Sequence, residues 1–383
     1  MANAMSELDC FRSINGRSMH DTKWKASLRR KLLKWFDVHQ RDLPWRNKKT
    51  PYRIWVSEIM LQQTQVATVV RYYDRFIKRF STVNQLANAN ESDVLKLWEG
   101  LGYYRRARQM HAAARMVVEQ HHGQFPTEPE SVMALPGIGR YTANAILSIS
   151  EDQQLPILEG NTIRLFARLM AMRADPRTTA NQKALWEFSE SILPRKRCGD
   201  FNQALMELGS ETCHPKRPKC LVCPIQDLCP TAVQGLQEQI PVTAKKVKYE
   251  NINEAVVVVC RRNRFLLRQC QPGERWENLW DFPRFEIDLG NDISPIDQLS
   301  QRLKQQTGLS AVVHQSTRQI KHAVTRFRIT LDCFPADQVK GRLKRSSEIL
   351  KWMTIEEINQ TPMSVTGRKI AQSLDSCYSI PTK

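Results

Sequence analysis

Residues 134–145 read ALPGIGRYTANA, and this stretch decides the first half of the chain. Gly137 and Gly139 flank a single isoleucine after Leu135-Pro136, and a helix is expected to open at Tyr141-Thr142. Such a turn leaves several backbone N–H groups pointing outward at a helix N-terminus. That is an anion site, able to hold a phosphate without reading base sequence. The same residues also fit a plain tight turn between two helices. Charge decides between the two.

The 383 residues carry 57 Lys+Arg against 39 Asp+Glu, a formal net charge of +18. The first 230 residues hold 34 basic and 23 acidic side chains and the remainder 23 and 16, so both halves are basic. An excess of this size points to a polyanionic partner bound through phosphate contacts and counterion release. At 41% hydrophobic content the chain is not of disordered composition, and its length allows two or three domains. No apolar run approaches the roughly 18 residues of a membrane span, and the first residues carry no secretory signal. A soluble protein of the bacterial cytoplasm, associated with the nucleoid and not with membrane, is expected.

Outward from the hairpin, the helical period continues in both directions. Trp24, Leu28, Leu32, Trp35 and Phe36 recur at helical spacing in 23–38, and helix-period segments with short breakers run from 53 to about 232. After Pro241 the character changes: Ala255–Cys260 (AVVVVC), Phe265–Leu267, Trp280–Phe285, Arg326–Phe334 and Ile349–Met353 read as strands, with helices near 297–306 and 364–374. The expected architecture is α + α/β: a tail (1–22), an all-α domain (23–232), a linker (233–250) and an α/β domain (251–383).

Four of the ten cysteines fall in one Pro-broken loop, Cys213-x6-Cys220-x2-Cys223-x5-Cys229. Four thiolates so close together ask for a metal, and zinc or a [4Fe–4S] cluster would accept them equally well. Lys216, Arg217 and Lys219 lie inside the first interval, where a rigid cage would hold them against phosphates. The other six cysteines have no ligand spacing and read as packing residues.

LPGIGxxTA together with that loop resembles the helix–hairpin–helix DNA glycosylases of the endonuclease III superfamily. LPWR (Leu43–Arg46), WVSEIMLQQTQV (Trp55–Val66), GLGYYRRAR (Gly100–Arg108) and FNQALMELG (Phe201–Gly209) narrow the resemblance to adenine DNA glycosylases of the MutY type. The match is specific from about 28 to 232 and weaker from 250 to 383. It implies a [4Fe–4S] cluster on Cys213, Cys220, Cys223 and Cys229. It also implies a monomer that binds double-stranded DNA at a damaged or mismatched pair, with Gly137 and Gly139 on the backbone. Gln63 and Tyr103 match residues that insert beside the lesion, while Trp45, Arg46, Leu61 and Gln203 match residues lining the adenine pocket.

Glu58 lies among Trp55, Val56, Ile59, Met60 and Leu61. Desolvation there would raise its pKa, as a general acid requires. Cleavage of an N-glycosidic bond needs a proton on the leaving purine and an anion facing the oxocarbenium-like sugar, the two-carboxylate logic of glycoside hydrolysis. By resemblance Glu58 is the proton donor to adenine N7. The second carboxylate departs from the pattern: the family's LDGN is Leu158-Glu159-Gly160-Asn161 here. One added methylene is a displacement of roughly 1 Å, which can cost on the order of a hundredfold in rate. Either the pocket has adjusted around Glu159, or the enzyme is slow, altered in substrate or inactive, or Glu159 only caps the Asn161 helix. Asn161 and Tyr141 match residues supporting this carboxylate. Tyr141 stands where bifunctional relatives carry a Schiff-base lysine, so the expected product is an abasic site.

Residues 250–383 resemble the Nudix-like domain with which the family reads 8-oxoguanine opposite adenine, Asn278–Pro283 (NLWDFP) included. Gln305, Gln306 and Arg302 replace the acidic residues that would bind Mg²⁺, which excludes pyrophosphate hydrolysis. The family's Phe-Ser-His is Val324-Thr325-Arg326; Thr325 keeps a hydroxyl, but an aromatic ring and an imidazole are gone. The leading expectation is a monofunctional glycosylase that removes adenine opposite 8-oxoguanine or guanine. The alternatives are a same-fold glycosylase of altered lesion or mispair specificity, and a lesion-binding protein without catalysis.

Overall fold

A computed structural model describes residues 21–242, 249–288, 290, 292–344 and 349–377. The N-terminal tail up to His20, Cys10, the linker lysines Lys245, Lys246 and Lys248, and the side chain of Cys377 lie outside the described part. Two compact units emerge: Met1–Asn88 with Gln109–Lys245, and Ala89–Arg108 with Lys246–Lys383. Among the described residues no helix is long and apolar enough to cross a membrane.

The first unit is helical. Its opening helix, Thr22–His39, is capped by Asp21, whose side chain accepts from the Lys23 N–H, and it buries Trp24, Leu28, Leu32 and Phe36 along one face. That stripe joins Phe166, Leu185, Phe201 and Leu205 in one core. Truncating a fully buried member such as Leu32 would cost about 2–5 kcal/mol. The helix Pro51–Leu61 starts under a Thr50 cap with proline in its first turn, and it is buried from Ile54 through Met60. It ends where Gln63 adopts a positive φ of 57°. Arg140–Glu151, opening at Gly139, is buried continuously from Thr142 to Ile149, the polar Thr142, Asn144 and Ser148 included, and stops at left-handed Asp152. Cys198–Glu211 crosses it at Gly199, where a Cβ would meet the Ser148 carbonyl oxygen at 2.2 Å. Only glycine permits that approach, and the approach draws the Gln203 helix over the Tyr141 helix.

The second unit contains a mixed sheet. Its strands are β1 (Glu250–Arg261), β2 (Arg264–Gln269), β3 (Trp280–Asp281), β4 (Arg284–Glu286), β5 (Ser310–Val313), β6 (Arg318–Val324), β7 (Phe327–Lys340) and β8 (Leu350–Met353). The main path runs β3-β2-β1-β7-β5, with β4 on β1, β6 on β7 and β8 on β2. β1 and β7 are parallel, with Glu250 opposite Phe327. Alternation along β1 feeds two cores. Val256 and Val258 pack with Ile370 and Leu374 of the helix Val365–Cys377, and Ala255, Val257 and Val259 pack with Leu299 and Leu303 of the helix Pro295–Thr307.

Several boundaries differ from the sequence-based expectation. The single strand expected over Trp280–Phe285 is two, β3 on β2 and β4 on β1. Proline at 283 offers no N–H, and its carbonyl instead accepts from Val257. β5 and β6 were not anticipated, because β6 (RQIKHAV) buries only Ile320 and carries an otherwise polar pattern. The start of the expected linker is folded: Ile240 is buried in the helical core. At its other end β1 already begins at Glu250.

Candidate active site

One cavity of about 480 Å³ opens in the helical unit, within the usual size range of small-molecule sites. Glu58 and Leu61 reach it from the helix Pro51–Leu61, Tyr141 from Arg140–Glu151, Glu159 and Asn161 from the start of Gly160–Leu169, and Gln203 and Glu207 from Cys198–Glu211. Trp45, Arg46 and Gln63 complete the set expected from sequence. Trp45 is at once core and lining: it is buried, and its ring meets Tyr73 edge-on at 5.3 Å.

Glu58 is 6% exposed. Burial pushes its carboxyl up to about 7; the Tyr141 hydrogen bond opposes the rise and the Glu159 charge adds to it. The Tyr141 hydroxyl donates to Glu58 Oε2 at 2.8 Å. A carboxyl in this state is half-protonated near neutral pH, which suits an acid that must both hold and release a proton.

Glu159 is the N-cap of Gly160–Leu169. Its Oε2 accepts from the Asn161 backbone N–H (2.8 Å) and Nδ2 (3.2 Å), its Oε1 from the Thr162 N–H (3.0 Å), and the Thr162 hydroxyl returns the favour by accepting from the Glu159 N–H at 2.8 Å. Capping and lining the cavity are therefore one arrangement of the same side chain. Burial raises its pKa, while the N–H donors of Asn161 and Thr162 and the Arg164 charge hold it back. The helix N-terminus adds its positive end beside the carboxylate. Arg164 donates to Asn161 Oδ1 at 2.9 Å and thereby orients the amide that binds Glu159.

A second polar group was missed by sequence reasoning. Arg46 donates to Gln203 Oε1 (3.0 Å) and to Glu207 Oε2 (2.9 Å), and Arg41 makes a two-pronged contact with Glu207 (2.8 and 3.0 Å). Burial alone would push the Glu207 carboxyl up, but the two arginines outweigh it and hold it below its ordinary value. The result is an ionised acceptor fixed in the pocket wall. Its spacing of four from Gln203, on the same helix face, is the signal that could have found it.

The hairpin places Gly137 at φ +80°, with the Gln109 Cβ only 2.9 Å from where a Cβ would sit. Gly139 has open space at the same position and precedes the Arg140 helix. Tyr103 and Thr325 belong to the second unit, Tyr103 half exposed at φ 47° and Thr325 at φ 53° in the turn between β6 and β7. The Thr325 hydroxyl donates to its neighbour's carbonyl, Val324 O, at 2.7 Å.

Cys213, Cys220, Cys223 and Cys229 ring one small cavity together with Leu165, Arg168 and Ile225. Among the described residues no three His, Cys, Asp or Glu side chains are placed to hold a single metal ion. Four thiols around one cavity, with the Arg168 guanidinium donating to Cys213 Sγ, fit a group that binds thiolates, as zinc and an iron–sulfur cluster both do. Buried Arg168 ties the loop down: it donates to Cys213 Sγ (3.1 Å), His214 O (2.8 Å), Gln237 O (2.8 Å) and Ile240 O (2.8 Å). When bound, the cluster would supply a rigid cross-link for a loop that has almost no apolar core of its own.

Known families and structures are similar to each part. Residues 56–191 match the family described as HhH-GPD superfamily base excision DNA repair protein, residues 213–229 the iron-sulfur binding domain of endonuclease III, and residues 255–373 the NUDIX domain. The four-cysteine loop is thus an iron–sulfur site, which decides between the two metals the thiols alone left open. An adenine DNA glycosylase of Rattus norvegicus is 46% identical over 213 residues, covering 53% of this chain and 41% of that protein. One from Buchnera aphidicola subsp. Schizaphis graminum is 38% identical over 259 residues, covering 67% of this chain and 75% of that protein. The chain thus spans less than half the length of the rat relative. A solved thermostable thymine-DNA glycosylase is 29% identical with a TM-score of 0.52, covering 55% of this chain and 98% of that one.

Proposed function

The chain belongs to the adenine DNA glycosylase family, and from that premise we propose that it binds duplex DNA and hydrolyses the N-glycosidic bond of a mispaired adenine. The observation that carries the reading is the pair of unlike carboxyls in one cavity, Glu58 half-protonated against Tyr141 and Glu159 held as a helix cap. The adenine leaves the stack and enters the cavity, where Glu207, Arg46 and Gln203 offer donors and acceptors to its edge. Glu58 gives its proton to adenine N7 as the bond from C1′ to N9 breaks and its electron pair moves into the purine. Glu159 faces the cation so formed. Water then adds at C1′ and returns a proton to Glu58, leaving an abasic site. The chain has Tyr141 in place of an amine nucleophile, so no Schiff base with the sugar forms and no β-elimination of the strand follows.

Backbone grip would come from the Gly137–Gly139 hairpin and the basic loop between Cys213 and Cys220, with Gln63 and Tyr103 filling the vacated stack. Residues 251–383 would read the opposing base, 8-oxoguanine in the first instance. One observation favours a changed opposing base instead: the Thr325 hydroxyl is already committed to Val324 O, with arginine beside it. Single-turnover incubation with duplexes holding adenine opposite 8-oxoguanine, guanine or other damaged bases, followed by alkaline cleavage, tests both. Cleavage with none of them would sink the glycosylase reading, and the rank order over partners decides the lesion.

A further inference from the structure

The segment Ala89–Arg108, which carries Tyr103, groups with residues 246–383 and not with the helices that hold the cavity. A half-buried ion pair fixes it there. Arg368, on the helix Val365–Cys377, donates through Nε to Glu99 Oε1 at 2.6 Å and through Nη2 to Oε2 at 3.2 Å, and the Met363 N–H donates to Oε2 at 3.2 Å. Glu99 caps the helix Glu91–Trp98 and starts the turn that leads to Tyr103, four residues on. That turn is over-determined: Gly100, Gly102 and Tyr103 all have positive φ, Trp98 Nε1 donates to Gly102 O, and the Tyr104 hydroxyl donates to Met363 O. It has little freedom to move independently of Glu99.

The same helix is tied to the β6–β7 hairpin. Arg284 donates to Thr366 Oγ1 at 2.8 Å, two residues before Arg368, and its guanidinium lies 4.3 Å over the Trp276 ring. Trp276 in turn faces His322 of β6, ring centres 6.5 Å apart. The polar groups of this junction are joined by long ion pairs rather than hydrogen bonds: Arg284 Nε lies 3.7 Å from Glu254 Oε2 and Arg284 Nη1 3.5 Å from Asp281 Oδ2, while both His322 ring nitrogens are buried without a hydrogen-bond partner. Buried polar groups held without good hydrogen bonds favour rearrangement when a ligand offers something better.

We infer that the Glu99–Arg368 pair is a latch through which the hairpin bearing Thr325 sets the position of Tyr103. It rests on the functional reading above, in which the hairpin reads the opposing base and Tyr103 enters the stack. Both latch residues are positioning residues and touch no substrate. A half-buried ion pair of this kind adds little net stability, so its place here is explained by specificity.

The test compares Glu99→Gln and Arg368→Lys with the wild-type full chain, on the best and the worst opposing base of the panel above. 2-Aminopurine beside the adenine reports unstacking independently of excision. The latch predicts that the ratio of excision rates between the two duplexes falls by about tenfold, that the unstacking signal weakens, and that Tyr103→Ala adds nothing further on top of Glu99→Gln. A ratio within about threefold of wild type while the melting temperature drops makes the pair structural only, and overturns the latch. So does a full additional effect of Tyr103→Ala. If the wild-type chain excises no base, the functional reading fails by itself, and the 2-aminopurine response still decides the latch.

Discussion

The Tyr141 hydroxyl donates to Glu58 at 2.8 Å, inside a cavity wall where Glu58 is the only carboxyl on a helix buried from Ile54 to Met60. The two side chains come from helices 83 residues apart in sequence. A phenol is a donor that does not compete for the proton, since its own pKa is driven well above the ordinary value by burial and by the Glu58 and Glu159 charges. It orients the carboxyl and moderates the rise in its pKa without abolishing it. The pair therefore sets where on the pH scale the Glu58 carboxyl titrates.

Two pH effects follow from Glu58. Its pKa rises from 4.5 to about 7 on folding, so the folded state binds the extra proton between those values and stability falls as pH rises through that window. Above about pH 7 the penalty is constant, about 3 kcal/mol at 1.36 kcal/mol per pKa unit. Glu58→Gln removes it, so the variant should melt higher than wild type at pH 8 and equally at pH 4. Its excision rate should fall by about a hundredfold to ten-thousandfold through loss of the acid, the range expected of proton transfer. In the wild-type chain the rate should decline with rising pH through about 7, and decline again at low pH as Glu159 protonates. These limbs belong to the coupled pair. Melting curves at both pH values and a pH–rate profile check it; an alkaline limb that persists in Glu58→Gln refutes the assignment.

Much of this site was legible in the sequence because local motifs carry it. Glu58 is visible as a carboxyl in an apolar run and the cysteines by spacing, whereas Tyr141 is reached only through the family resemblance. What was not legible depends on long-range convergence. Glu207 matters because Arg41 and Arg46 reach it across 166 and 161 residues, and no local pattern announces that. Likewise Glu99 and Arg368 lie 269 residues apart, so the grouping of Ala89–Arg108 with the C-terminal sheet has no local signature. The strands that escaped notice, β5 and β6, are short or polar on one face. Their existence depends on β7, which pairs with both.

Gly137→Ala tests the hairpin. At φ +80° an alanine is strained, and its Cβ would press on Gln109 at 2.9 Å. The expected cost is about 1–2 kcal/mol of stability. DNA affinity should fall uniformly over matched and mismatched duplexes, since a backbone contact reads no sequence. Denaturation curves and fluorescence-polarisation titrations measure the two. A variant that loses affinity only for mismatched duplex contradicts a phosphate role for the hairpin.

Cys223→Ser tests the iron–sulfur loop. Serine is a poor ligand for iron, so purified protein should lose iron content and its visible absorption. Polar contacts from Arg168, from Arg164 to Cys213 O (2.7 Å) and from Trp24 to Leu228 O (3.2 Å) tie the loop to the helices but leave the Lys216 and Lys219 side chains without an anchor of their own once the cluster is lost. Salt-sensitive DNA binding should weaken as Lys216, Arg217 and Lys219 lose their fixed positions. The alkaline limb set by Glu58 should remain where it is, because Glu58 is shifted by burial, Tyr141 and Glu159 and by none of the loop residues. Iron assay, absorption spectrum and the pH profile decide it. Wild-type iron in the variant would mean that Cys223 is not a ligand.

Glu159→Asp asks whether the added methylene matters. The carboxylate is held by donors that belong to the helix end itself, the N–H groups of Asn161 and Thr162 and the Asn161 amide. Aspartate is an equally good cap for such donors. With the acceptor position fixed by the helix, the extra carbon of glutamate is absorbed in the side-chain torsions and backbone before the helix, and the anion stays in place. Glu159→Asp should then change excision by less than about tenfold and stability by less than about 1 kcal/mol. Glu159→Gln keeps a cap acceptor but removes the charge facing the cation, and should lose about a hundredfold or more. Single-turnover rates of the two variants on the preferred duplex separate the cases. A gain of a hundredfold in Glu159→Asp would mean that the glutamate does displace the anion, and that the chain is tuned to a different substrate from its relatives.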